Sequence, residues 1–137
     1  MKREEKEKQI LMKIIMVGSA GVGKSSLLNR FVNNEYYPES FNTIGVEFQN
    51  KYIVIDGNNI CVQIWDTPGK EEYKSYRTPF YRGCDGVMLV YDITNRESFN
   101  EIAGRRKEVI DCSDISEPEN FPMMLVGNKV DKIARSQ

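Results

Sequence analysis

A chain of 137 residues with 40% hydrophobic content is one domain of ordinary size, with enough apolar material for a core. A net charge of −1 and a pI near 5.6 argue against a broad basic surface for nucleic acid. The absence of histidine removes His-based triads, HExxH zinc chemistry and imidazole general bases.

Residues 1–9, MKREEKEKQ, form a mixed charge run with no apolar centre and read as a solvated lead-in rather than a signal peptide. The domain proper is expected over 10–137. ILMKIIMVG (10–18) is a nearly continuous apolar, branched run, the pattern of a strand buried on both faces. KSSLLNRFVNN reads as a helix with Leu27, Leu28 and Phe31 on one side. YYPESFNTIG is polar, carries Pro38 and reads as a loop. VEFQNKYIVI and ICVQIWD flank DGNN, a hairpin signal, because Asp-Gly supplies the positive φ of a tight turn.

GVMLVYDIT (86–94) is a further apolar strand. Thr94 and Glu97 have capping-box spacing ahead of Phe99, Ile102, Ala103 and Ile110, which suit one helix face. Gly104 inside that helix costs about 1 kcal/mol relative to alanine. SDISEPENFP reads as a loop and PMMLVGN as a third apolar strand. No apolar run approaches a membrane span, and the final NKVDKIARSQ carries no CaaX cysteine. Cys61, Cys84 and Cys112 are odd in number and far apart, so they read as reduced thiols of a cytosolic protein. Strands alternating with helices predict an α/β fold with a mostly parallel sheet. Ligands of such sheets bind at the carboxyl ends of the strands, and the candidate motifs all fall there.

GSAGVGKS, running Gly18, Ser19, Ala20, Gly21, Val22, Gly23, Lys24, Ser25, matches G-x-x-x-x-G-K-[ST] at a strand-to-helix junction. Its glycines let the backbone curl so that N–H groups converge on a phosphate, and the helix dipole reinforces them. Lys24 can reach the β- and γ-phosphates and Ser25 can ligate Mg²⁺; Ser26, next along the helix, belongs with the phosphate-binding set. Asp66-Thr67-Pro68-Gly69 closes the strand ICVQIWD. Asp66 can hold Mg²⁺ through a water, and the Gly69 N–H can meet a γ-phosphate. Asn128-Lys129-Val130-Asp131 follows the last strand. The Asp131 carboxylate can accept from the N1–H and exocyclic amine of guanine, a donor pair that adenine lacks. Thr43, in the loop after the first helix, can bring its hydroxyl to the metal and its N–H to the γ-phosphate.

In this order the four motifs resemble the Ras superfamily of small GTPases. IGVEF (44–48), CVQIW (61–65), FYRG (80–83) and LVYDIT (89–94) are similar to segments of its Rab family, and ENFPMMLVGNKVD is similar to the late-endosomal branch. The resemblance runs from about Ile10 to Asp131. It implies a P-loop NTPase-type sheet with flanking helices, bound GTP or GDP with Mg²⁺, and a GTP/GDP switch in vesicle traffic. Such a protein would be cytoplasmic, with transient presence at the cytosolic face of endomembranes. It also implies that Tyr36 packs against guanine, that Thr43 closes switch I over the γ-phosphate, and that switch II runs from Asp66 to about Arg82. Phe48, Trp65 and Phe80 match the aromatic triad that Rab effectors read; on their own they read as core. Effectors and exchange factors would meet the switch regions and this triad.

Four departures qualify the resemblance. Lys70 stands where the family has its catalytic glutamine. Lysine has three donors and no acceptor, so among the expected catalytic residues Lys70, Gly69 and Thr43 it cannot orient water in the same way, and hydrolysis is expected to be slow. The alternative is a pseudo-GTPase that binds Rab partners without meaningful turnover. Ala20 replaces the serine or glycine usual there. Arg105 falls where many Rabs have a helix tryptophan, which predicts weaker packing. Beyond NKVD the family continues through a sixth strand, a second base-reading loop and a final helix, none of which this sequence contains. A small G domain lacking its last strand and helix, weakened nucleotide affinity and no stable membrane anchor are therefore expected of this chain.

Overall fold

The computed structural model describes residues 9–33 and 46–129, so the lead-in 1–8 and the expected site residues Tyr36, Thr43 and Asp131 lie outside the described residues. Five strands form one sheet in the order β2-β3-β1-β4-β5. In chain order these are β1 (Gln9–Val17), β2 (Glu47–Ile55), β3 (Asn58–Asp66), β4 (Gly86–Asp92) and β5 (Met123–Asn128). β2 and β3 are antiparallel; every other neighbouring pair is parallel. The hairpin turns on Asp56 and Gly57, both at positive φ (49° and 77°), as a two-residue turn matched to strand twist requires.

Helices flank both faces. α1 (Lys24–Asn33) follows β1, and α4 (Ile102–Cys112) lies between β4 and β5; two short helices, α2 (Lys74–Arg77) and α3 (Arg96–Asn100), lie within the connections. Residues alternate across β1 with the period of the pleat. Ile15 and Val17 join Tyr81, Val87, Leu89 and Val109 on one face. Met16 joins Val22, Leu28, Val62, Ile64 and Val90 on the other. The expected α/β, mostly parallel architecture is therefore present.

Local expectations fail in three places. β1 is buried only at its carboxyl half. Ile10 and Leu11 are exposed because pairing with β4 begins at Ile14, opposite Gly86, leaving the first residues bonded to β3 alone. Phe31 is also exposed, with the Lys51 ammonium of edge strand β2 lying 5.5 Å from its ring centre.

The third concerns the capping box. Asp92 takes the Thr94 N–H at 2.9 Å and its hydroxyl at 2.6 Å, so the cap passes to Asn95, whose side chain accepts from the Glu97 and Ser98 N–H groups. The helix expected beyond it is split into α3 and α4. Its inward stripe is Ile102, Arg105, Val109 and Cys112, not the stripe through Ala103 and Ile110. Phe99 is exposed and meets Tyr91 edge-on at 5.0 Å. Arg105, expected to loosen this helix, is itself buried, with 8% exposed.

Candidate functional site

The carboxyl ends of β1, β3, β4 and β5 gather the motifs into one region. Where β1 runs into α1, the loop 18–23 doubles back, and at both its ends there is no room for a side chain. A Cβ on Gly18 would overlap the Val90 carbonyl oxygen, and one on Gly23, whose φ is +94°, would overlap the Asn128 amide. Lys24 starts α1 and turns back into the loop. Its ammonium donates to the Gly18 carbonyl at 3.0 Å and the Ser19 carbonyl at 2.9 Å, and the side chain is buried. Burial pulls its pKa down to about 8; nearby Asp66 opposes this, while Arg105 and Arg77 add to it. The Ser19 hydroxyl donates to the Glu101 carboxylate, joining the loop to the start of α4.

Asp66 ends β3, and its carboxylate accepts a hydrogen bond from the Ser25 hydroxyl. The next residue fastens this strand end to β1, with the Thr67 hydroxyl donating to the Met16 carbonyl at 2.7 Å. Gly69 then lies directly on the phosphate-type loop: a Cβ there would meet the backbone of Gly18, Ser19 and Ala20. The structure thus brings together Gly18 to Ser25, Asp66 and Gly69. Ser25 and Asp66 thus bring a hydroxyl and a carboxylate together side by side. These are hard oxygen donors of the kind Mg²⁺ takes alongside waters and substrate phosphates, so the pair fits that metal. Among the described residues, no group of three or more His, Cys, Asp or Glu forms a metal cluster.

From β5, Asn128 and Lys129 reach the same loop. The Asn128 amide donates to the Val22 carbonyl at 2.8 Å, and the Lys129 ammonium donates to the Gly21 carbonyl at 2.5 Å and pairs with Asp92 at 3.1 Å. Lys129 takes positive φ (67°) at this junction. Burial alone would raise the Asp92 carboxyl, but hydrogen bonds from Thr94 and Lys129 hold it below its ordinary range. Expected only as part of a base-reading motif, both residues also act here as braces of the phosphate-type loop.

Lys70 lines a cleft of about 690 Å³ with Ser19, Ala20, Gly69, Arg105 and Glu108. Its ammonium lies 3.9 Å from Glu72 and its side chain is 42% exposed. Its backbone is held more firmly, because Arg77 donates to its carbonyl at 2.7 Å. Arg77 is buried at 1% exposure and is gripped by both Glu108 oxygens, at 2.8 and 3.0 Å. Glu108 also accepts from the Tyr81 hydroxyl at 2.7 Å. Burial would raise the Glu108 carboxyl; these hydrogen bonds and the charges of Arg77 and Arg105 keep it low. Sequence reading gave no role of their own to Arg77, Tyr81 and Glu108, and took Arg105 only as a weakness in packing. The one available signal was an arginine on the apolar stripe of α4.

Phe48 stacks on Trp65 at 4.6 Å, and Trp65 meets Phe80 at 5.4 Å. Phe48 is exposed and the other two are half-buried, so the three form an aromatic cluster at the surface, with Trp65 also packed against the core. The Lys13 ammonium lies 5.0 Å from the Trp65 ring centre.

Compared with known proteins, residues 13–137 match the sequence profile of the Ras family. The chain is 49% identical over 125 residues to Ras-related protein Rab-9B of Homo sapiens, covering 91% of this chain and 62% of that protein. It is 48% identical over 124 residues to Ras-related protein Rab-9A of Homo sapiens, covering 90% and 62%. To the Ypt/Rab-type GTPase YPT7 of Saccharomyces cerevisiae it is 42% identical over 125 residues, covering 90% and 60%. The chain therefore spans about three-fifths of the length of the curated relatives it matches.

Proposed function

The chain belongs to the Ras family of small GTPases, in its Rab branch, and on that premise we propose that it is a guanine-nucleotide switch of vesicle traffic that hydrolyses GTP slowly. The observation that carries this reading is the convergence of Lys24, Ser25, Asp66 and Gly69 on one loop of backbone.

Main-chain N–H groups of residues 21–25, at the start of α1, seat the phosphates. Lys24 counters their charge; with a pKa of about 8 it is mostly protonated at pH 7, and a bound phosphate favours that form further. Ser25 and Asp66 are the side chains that would hold Mg²⁺, with Thr43 completing the set. The ion, when bound, neutralises charge developing on the phosphate oxygens. The Gly69 N–H receives the terminal phosphate. Asn128, Lys129 and Asp131 serve the guanine, and Tyr36 packs against it.

Slow turnover follows from Lys70. Phosphoryl transfer depends on positioning and charge stabilisation, and an ammonium cannot accept a hydrogen bond from the attacking water. A second reading, a Rab-like interaction protein without turnover, is favoured by that same substitution. In both readings effectors and exchange factors meet the switch regions and the Phe48, Trp65, Phe80 cluster at the cytosolic face of endomembranes. Among the described residues, no helix is long and apolar enough to cross a membrane.

Nucleotide extracted from freshly purified protein and separated by chromatography tests the proposal. Bound GDP that single-turnover loading shows to arise from GTP supports the slow enzyme. Retained GTP that is never converted supports the second reading. No guanine nucleotide on the wild type overturns the switch and favours the second reading; uptake unchanged in Lys24→Ala overturns both.

A further inference from the structure

Three consecutive carbonyls after the Asp66 strand end are each taken by an arginine. Arg77 donates to Pro68 at 3.4 Å and to Lys70 at 2.7 Å, and Arg105 donates to Gly69, between them. The two contacts differ in kind. Arg77 lies only nine and seven residues from its acceptors, so it folds the segment onto itself. Arg105 comes from α4, 36 residues from Gly69, and joins the segment to a separate element of the fold.

On its other side Gly69 rests on the Gly18–Ala20 backbone. It is therefore held between α4 and the phosphate-type loop. Because a trans peptide is planar, fixing the Pro68 and Gly69 carbonyls fixes the Gly69 and Lys70 N–H groups too. Both guanidinium groups are buried, and the Glu108 carboxylate that grips Arg77 also sits on α4. These two N–H groups are thus fixed before any ligand arrives, which removes part of the ordering cost of binding.

We infer that Arg105 is a positioning residue: by holding the Gly69 carbonyl from α4 it keeps Gly69 in place against the loop, so that the Gly69 N–H, whose peptide plane Arg77 holds through the Pro68 carbonyl, is preset to receive the terminal phosphate of a nucleoside triphosphate, and so sets preference for triphosphate over diphosphate. This rests on the nucleotide-binding reading above. A diphosphate does not reach Gly69, so the contact favours one ligand over the other rather than both alike.

The test compares wild type with Arg105→Met, which keeps the apolar stem, and Arg105→Lys, which keeps a donor. Displacement of a fluorescent guanine nucleotide by GDP and by the non-hydrolysable β,γ-imido analogue of GTP, with Mg²⁺, gives both affinities. Losing a charge-assisted hydrogen bond should weaken analogue binding about tenfold in Arg105→Met, leave GDP within about twofold, and be partly restored in Arg105→Lys. Equal weakening of both nucleotides, no change in either, or no rescue by lysine overturns the inference. Hydrogen exchange of the nucleotide-free proteins separates this result from failure of the functional reading. Arg105→Met should speed exchange across residues 69–73 and leave β1 and β4 unchanged. If the wild type takes up neither nucleotide, the functional reading falls and exchange alone decides: faster exchange supports the positioning contact, and unchanged exchange overturns it.

Discussion

Ser25 and Asp66, 41 residues apart in sequence, meet side chain to side chain: the serine hydroxyl at the start of α1 donates to the carboxylate at the end of β3. Both groups are hard oxygen donors, and their meeting joins the phosphate-type loop to the strand end that leads into Gly69. Removing either should disturb a shared cation before it disturbs the fold.

Ser25→Ala should accelerate nucleotide release at least about tenfold when Mg²⁺ is present and change it little in excess chelator, because the lost ligand acts through the ion. Release of a fluorescent nucleotide under the two conditions measures this. The same acceleration in both would mean that Ser25 serves the loop and not a metal.

Lys24 gives a pH signature. Its pKa falls from 10.5 when unfolded to about 8 in the fold, so between these values the unfolded chain holds more protons and stability rises with pH. The cost of burying the ammonium is fully present below pH 8 and relieved above 10.5. Relative to Lys24→Met, the nucleotide-free wild type should gain stability from pH 8 upward, approaching about 3 kcal/mol. Urea unfolding of both proteins at pH 7.5 and pH 9.5 reads the difference; a constant gap would remove the buried, charged lysine from the account.

Replacing Lys70 by glutamine restores a side chain that accepts and donates at once. Single-turnover hydrolysis should rise at least about tenfold in Lys70→Gln, with GDP affinity unchanged. Matching rates in the two proteins would show that water positioning here does not depend on residue 70.

Glu108 holds the buried Arg77 by two hydrogen bonds and Tyr81 by a third. Glu108→Ala leaves a guanidinium buried without its carboxylate, at a cost of about 3–5 kcal/mol. Because the Glu108 carboxyl is held below its usual range, its contribution is present above the ordinary carboxylate pKa and lost as pH falls through the lowered one. Equilibrium unfolding at pH 7 and under acid conditions should show a variant less stable than wild type at neutrality and closer to it in acid. A variant as stable as wild type at pH 7 would contradict the structure.

Gly69→Ala should be poorly tolerated for a reason unrelated to φ. The added methyl would meet backbone atoms of Gly18, Ser19 and Ala20, which cannot swing aside as a side chain can. Overpacking of this kind costs about 1–3 kcal/mol, and binding of a triphosphate analogue should fall more than binding of GDP. Wild-type thermal stability and analogue affinity in Gly69→Ala would show that the segment lifts freely off the loop.

Features carried by neighbouring residues were legible in sequence. Branched apolar runs marked β1 and β4, Asp56-Gly57 marked the hairpin, and the spacing from Gly18 to Ser25 marked the strand-to-helix loop. Features requiring a distant partner were not. Asn95 became a helix cap because Asp92 claimed Thr94. Arg105 entered the buried stripe of α4 because the Gly69 carbonyl satisfies it there, and Arg77 is buried because Glu108, 31 residues on, accepts it. A guanidinium read alone is a surface charge, and only its partner makes burial affordable.

The braces from Asn128 and Lys129 to Val22 and Gly21 span 106 and 108 residues. During synthesis the phosphate loop emerges early, yet its last two supports leave the ribosome only near the end of the region described. Until then a nascent chain presents a glycine loop whose Gly21 and Val22 carbonyls lack these two side chains. Nucleotide captured at that stage would do for the newborn polypeptide what the two side chains do for the finished one.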